Sequence, residues 1–107
     1  MEPAVQLSAA ELGAGVVLGE RATLVQFSTA FCQPCRATRR VLAEAAVLVP
    51  GVAHVDIDAE QHLELVRRLE ILRTPTTLVL DAAGVVVHRA AGQPSRAVVL
   101  AALADAL

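Results

Sequence analysis

The chain has 107 residues, enough for one buried core and too few for two, so residues 1–107 are expected to form a single domain. Its 55% apolar and 19% charged composition is that of a folded globule rather than a disordered segment. A formal net charge of −2 argues against general nucleic-acid binding, which needs clustered Lys and Arg, and no run of about 18 apolar residues offers a membrane span.

The start, Met1-Glu2-Pro3-Ala4-Val5, lacks the basic opening and apolar stretch of a leader, so a cytoplasmic location is expected. Val5 to Leu7 reads as a short edge strand. Ser8-Ala9-Ala10-Glu11 has the spacing of a capping box, so a short helix is expected from Ser8, weakened by Gly13 and Gly15. Residues 22–28 carry Val, Leu, Phe and Thr with little charge and read as a buried strand. From Gln33 to about Leu48 the pattern is helical, with Val41, Leu42, Ala45 and Val49 on one side, and Pro50-Gly51 ends it. Val52 to Ile57 reads as a strand. Asp58 is placed as the N-cap of a helix over Ala59–Glu70. Thr76 to Leu80 and Val85 to Ala90 read as a hairpin around Asp81-Ala82-Ala83-Gly84, and Ser95 caps a last Ala-rich helix. Strands alternating with helices predict an α/β fold, a mixed sheet with helices on both faces. Phe27 and Phe31 are the only aromatics, so the core must be built from Val, Leu, Ile and Ala.

Chemistry concentrates at the only two cysteines, in Phe31-Cys32-Gln33-Pro34-Cys35-Arg36. A C-x-x-C between a buried strand and a helix N-terminus reads as a redox dithiol. Free N–H groups and partial positive charge at the helix start favour a thiolate at Cys32. The spacing lets the two sulfurs form and break a disulfide at one site. An inert pair or half of a zinc site are the other readings. Zinc asks for about four ligands, and His54, His62 and His88 are scattered without ligand spacing, so no metal is expected. Pro34 stiffens the loop between the cysteines.

The element order with C-x-x-C opening the second helix resembles the thioredoxin family over nearly the whole chain. Four features carry the likeness. Phe31-Cys32-Gln33-Pro34-Cys35 stands where the family has an aromatic and C-G-P-C. Arg73-Thr74-Pro75-Thr76 stands where it has its cis-proline, and Gly84 and Gly92 match its hairpin and loop glycines. The resemblance implies a thioredoxin fold, with a central mixed five-stranded sheet of order 1-3-2-4-5 flanked by four helices. It also implies a thiol–disulfide oxidoreductase that reduces protein disulfides, with Cys32 as nucleophile and Cys35 as resolving thiol. No cofactor beyond that disulfide is implied. The partners it implies are disulfide-bearing clients and an electron donor such as a thioredoxin reductase, and a monomer suffices. Phe31, Gln33, Pro34 and Arg36 would shape the active-site loop. Arg73, Thr74, a cis Pro75 and Gly92 would receive an extended substrate segment, paired through the Thr74 backbone as a short added strand. Without the resemblance, Pro75 would read as an ordinary strand-start proline.

The departures are informative. The family's buried carboxylate is Gln26 here, and an amide cannot take the proton of the second cysteine. The lysine usually near it is His54, and a neutral imidazole beside an amide leaves no uncompensated buried charge. His54 reads either as a packed strand residue or as a substitute base in a relay with Gln26 through a water. Ser28 and Phe31 replace tryptophans, reducing the docking rim. Gln33 replaces the motif glycine, which bears on the redox potential. Arg40 replaces a helix-kinking proline. Arg36 and Arg73 are expected beside the site, favouring the Cys32 thiolate and acidic partners, with Arg39 and Arg40 on the solvated helix surface. Two further functions stay open: a carrier dedicated to one client, and a redox-sensing module of slow turnover.

Overall fold

The computed structural model describes residues 4–107. Its organising element is β1 (Ala22–Ser28), buried along its whole length. A strand covered on both faces carries no charge and is mostly apolar; Thr23, Gln26 and Ser28 are its buried polar residues, and the period of two divides the apolar ones between two cores. Val25 and Phe27 face one core with Leu7, Leu12, Ile57, Leu78 and Leu80. Ala22 and Leu24 face the other with Leu42, Ala45, Val79, Val99 and Leu103.

Around β1 the order is α1 (Ala9–Leu12), α2 (Gln33–Leu48), β2 (Val52–Asp58), α3 (Leu63–Arg68), β3 (Thr76–Asp81), β4 (Val86–Ala91) and α4 (Arg96–Ala106). The strands form one mixed sheet of order β2-β1-β3-β4. β1 and β2 are parallel, joined through α2, and the other two pairings are antiparallel. The second core carries α2 and α4 on one face of the sheet; the first core takes in Leu12 of α1 and Leu65 of α3 on the other.

The expected fifth strand is not formed among the described residues. Removing it from the order 1-3-2-4-5 leaves the order observed, but Val5–Leu7 does not lie beside β2. It makes a single bridge, Gln6 to Val85, at the far side of the sheet. The Leu7 N–H donates to the Gly84 carbonyl and the Val86 N–H to the Val5 carbonyl, at 2.9 and 2.8 Å. Two properties explain the placement. Leu7 is 1% exposed, so its side chain is pulled into the first core. Gly84 has φ +85°, and a Cβ there would lie 2.2 Å from the Leu7 carbonyl oxygen, so only glycine lets the two backbones approach. β2 therefore remains an edge strand; His54, Asp56 and Asp58 along it are the polar residues that discourage edge-to-edge pairing.

The expected helix over 59–70 is broken. Ala59–Gln61 is a 3-10 turn, His62 is not helical, and α3 starts only at Leu63. Local side chains compete for the backbone. The Asp58 carboxylate accepts from the Glu60 N–H, and the His62 Nδ1–H donates to the Asp58 carbonyl at 3.1 Å, the oxygen a continuous helix would use. The hairpin strand runs Val86–Ala91, one residue later than expected. The caps at Ser8 and Ser95 form as read, Ser8 in a full capping box. α2 runs unbroken through Arg40.

Candidate functional site

β1 ends at Ser28, and three residues of loop deliver the chain to Cys32 at the N-cap of α2. Phe31, just before it, has φ 58° and a fully exposed ring. Cys32 and Cys35 form a disulfide with Cα atoms 5.2 Å apart. The Cys32 sulfur also accepts the Cys35 backbone N–H at 3.1 Å, so it takes the place of a capping oxygen in the first turn. Pro34 stands in that same turn, where its missing N–H leaves nothing unsatisfied. The two sulfurs differ in access: Cys32 is half-buried, whereas Cys35 is 1% exposed. Gln33 and Arg36 are exposed around them, and the Arg36 N–H donates to the Cys32 carbonyl.

The loop before β3 meets the loop that precedes this turn. The Thr74–Pro75 peptide is cis. The Thr29 and Thr74 hydroxyls are hydrogen-bonded at 3.1 Å, tying the loop that leads to Cys32 to the residue before the proline. The Gly92 N–H donates to the Pro75 carbonyl at 2.8 Å, and a Cβ on Gly92 would lie 3.7 Å from the Arg73 guanidinium. Arg73, Thr74, Pro75 and Gly92 are thus joined as one rim, with Arg73 exposed and Pro75 itself buried.

Beneath Cys35 lies Gln26, fully buried. Its amide N–H donates to the Cys35 carbonyl at 2.8 Å, and its amide oxygen faces the His54 Nε2 at 3.4 Å. Both ends of the amide are engaged, and a carboxylate in that pose would set an oxygen against the Cys35 carbonyl oxygen. The amide is therefore the group that fits. Burial holds the His54 imidazole below its ordinary 6.5; Asp56 raises it and Arg39 lowers it further.

That lowering has a testable consequence. The unfolded chain takes up a proton at a histidine near pH 6.5, which the folded chain declines. The His54 contribution to stability is thus complete above about pH 6.5 and is lost as pH falls towards the lower folded value. The midpoint of urea unfolding should drop between pH 7.5 and about 5.5, and more shallowly in a His54→Gln chain; equal slopes would show that His54 carries no such linkage. Glu11, held below its ordinary value mainly by its hydrogen bond with Arg68, titrates at lower pH and does not enter this window.

Three participants were not singled out from the sequence: Thr29, Asp56 and Thr77. The Ser28 hydroxyl donates to the Asp56 carboxylate at 2.5 Å, and the Arg39 guanidinium to its other oxygen at 2.6 Å. Arg39, expected as solvated surface, therefore pins α2 to β2. At 44% and 30% side-chain exposure the pair is worth under about 1 kcal/mol, so its effect is on geometry more than on stability. The spacing of Asp56 two residues after His54, on the same face of one strand, is the signal that could have found it. The Thr29–Thr74 and Gln26–Thr77 neighbours are long-range and left no local signal.

Among the described residues no three His, Cys, Asp or Glu side chains converge as a metal site, and no helix is long and apolar enough to cross a membrane.

Comparison with known proteins agrees with this geometry. Residues 4–105 match the thioredoxin family model. The chain is 33% identical over 95 residues to a thioredoxin of Mycolicibacterium smegmatis, covering 85% of this chain and 84% of that one. It is 28% identical over 60 residues to thioredoxin H5 of Oryza sativa subsp. japonica, covering 56% of this chain and 44% of the rice protein, so that match spans under half of the relative. A solved thioredoxin-2, described as a component of malaria parasite protein secretion machinery, superposes with a TM-score of 0.72 at 16% identity, covering 86% of this chain and 89% of that one. That likeness is one of fold. A family model spanning nearly all described residues, joined to a cysteine pair at the N-terminus of α2 and a cis Thr74–Pro75 peptide before β3, shows that the chain belongs to the thioredoxin family.

Proposed function

We propose that this chain is a protein-disulfide reductase working by dithiol–disulfide exchange. The observation that carries the reading is the Cys32–Cys35 disulfide at a helix N-terminus, with one sulfur accessible and the other sealed. In the reduced protein the Cys32 thiolate attacks a client disulfide; one client sulfur leaves and a mixed disulfide forms. Cys35 then attacks Cys32, the second client thiol leaves, and the internal disulfide is restored. Two electrons pass to the client, and a dithiol donor such as a thioredoxin reductase returns them. The Cys35 backbone N–H and the partial positive charge of the α2 N-terminus stabilise the Cys32 thiolate. The rim formed by Thr74, Pro75 and Gly92 receives an extended client segment, with Phe31 as an apolar contact and Arg36 and Arg73 favouring acidic ones. The reaction needs no metal or bound organic cofactor, and one chain supplies every group named. A lone cysteine pair, both members in the motif, fits the reducing cytosol. In this reading His54 holds the Gln26 amide in place.

The test is insulin reduction by dithiothreitol in the presence of catalytic amounts of the protein. Turnover well above the uncatalysed rate is expected. A rate equal to background would overturn the general-reductase reading and favour a carrier dedicated to one client or the second reading, a redox-sensing module. Gln26 is the observation behind that alternative, because its amide is committed to the Cys35 carbonyl and offers the thiol no base.

A further inference from the structure

Thr77 carries a buried hydroxyl with no hydrogen-bond partner among the described residues, although the residue is only 3% exposed. Buried polar groups are nearly always paired, so an orphan asks for an explanation. Its position supplies one. Thr77 lies directly opposite Gln26 in the β1–β3 ladder. Residues so paired project from the same face, with Cβ atoms about 5 Å apart. That face is the one against α2 and α4, as Leu24 and Val79 show. Gln26 in turn bonds the backbone of Cys35. The Thr77 hydroxyl therefore sits in the layer under the first turn of α2, beside the amide that holds Cys35. The other polar groups of that layer are engaged: Gln26 at both ends, Thr38 with the Pro34 carbonyl, and Ser28 with Asp56.

Cys35 is bonded to Cys32 here and has no proton to give. The partner missing from Thr77 in this oxidised state is the group that reduction creates. We propose that Thr77 Oγ1 is the hydrogen-bond partner of Cys35 in the reduced protein, donating to the sulfur as it leaves as a thiolate and accepting from its S–H once it is protonated. The inference rests on the reductase reading. The bookkeeping of atoms is that of ordinary exchange. An incoming dithiol supplies two electrons and two protons, the Cys32–Cys35 bond breaks, and the donor becomes a disulfide. Thr77 consumes nothing; it offers a hydroxyl, which both donates and accepts, where the Gln26 amide is already spoken for.

The consequence is a bias in the redox equilibrium. In the oxidised protein the hydroxyl is unpaired, and in the reduced protein it is paired, so Thr77 favours reduction on both counts. Thr77→Val removes the hydroxyl at nearly constant volume. It should shift the exchange equilibrium towards the disulfide by about tenfold, equivalent to a potential about 30 mV more negative. Thr77→Ser keeps the hydroxyl and should stay near the wild-type value. The three proteins are equilibrated against graded mixtures of reduced and oxidised dithiothreitol, and the thiol fraction is read by mass after alkylation. An unshifted or less negative Thr77→Val, or a Thr77→Ser that moves as far as Thr77→Val, overturns the assignment. A wild-type disulfide that never exchanges would instead overturn the reductase reading. Independently, in a Cys32→Ser chain, where Cys35 is the only thiol, the infrared S–H stretch should lie at the lowered frequency of a hydrogen-bonded thiol. It should rise when Thr77→Val is added. A free-thiol frequency with Thr77 present would overturn the proposal whatever the exchange experiment gave.

Discussion

Cys32→Ser is expected to lower insulin reduction to the rate of dithiothreitol alone, while leaving the fold intact. The site makes the two cysteines unequal. Cys32 caps α2, is half-buried, and its sulfur accepts the Cys35 backbone N–H, whereas Cys35 is sealed beneath it. A serine oxygen in place of the Cys32 sulfur retains the cap, since hydroxyl oxygens are good N-cap acceptors. It cannot serve as a nucleophile towards a disulfide near neutral pH, because a hydroxyl without an activating base is a poor one. Cys35→Ser should fail differently. Attack by Cys32 still proceeds, but no thiol remains to resolve the mixed disulfide, so the protein should accumulate covalently joined to its client. Non-reducing gel electrophoresis reads this directly. Many trapped proteins would indicate a general reductase, and one would indicate a dedicated carrier. A Cys32→Ser protein that still turned over would overturn the assignment of Cys32 as nucleophile.

The second large effect is on stability. Phe27→Ala should destabilise the domain by about 3–5 kcal/mol, measured as the shift in urea unfolding. Phe27 is 0% exposed and is the largest of the fully buried side chains. It sits in the central strand, one residue beyond Gln26, and packs in the core that also holds Leu7, Ile57 and Leu78. With no Trp or Tyr and only one other Phe, fully exposed at position 31, no other aromatic is available to fill the cavity. The loss is a large part of the 5–15 kcal/mol that typically holds a small domain together. A shift under about 1 kcal/mol would show that the core collapses around the missing ring.

How much of this was legible beforehand depends on the range of the interactions. β1, α2 and the two Ser caps were readable because each is dictated within a few residues: a buried strand by its uncharged run of Val, Leu, Phe and Thr, a cap by one hydroxyl and the N–H three residues on. The dithiol was readable for the same reason, since Cys32 and Cys35 meet through one helical turn. The break at His62 was local too, but depended on which of two competing acceptors a side chain would take. Val5–Leu7 failed for a different reason. Its composition suits a strand, yet which strand it joins was settled by the burial of Leu7 and the glycine at position 84.

The sequence by itself determined an α/β fold with a redox dithiol opening its second helix, because strand and helix periodicities and a three-residue cysteine spacing are local properties. Only the tertiary structure decided how the polar residues behind the dithiol are paired. Gln26 from β1, His54 and Asp56 from β2 and Thr77 from β3 are brought to one face of the sheet by its register, and Arg39 of α2 is tied to that face through Asp56. Register depends on how both cores pack at once, and no stretch of neighbouring residues encodes it.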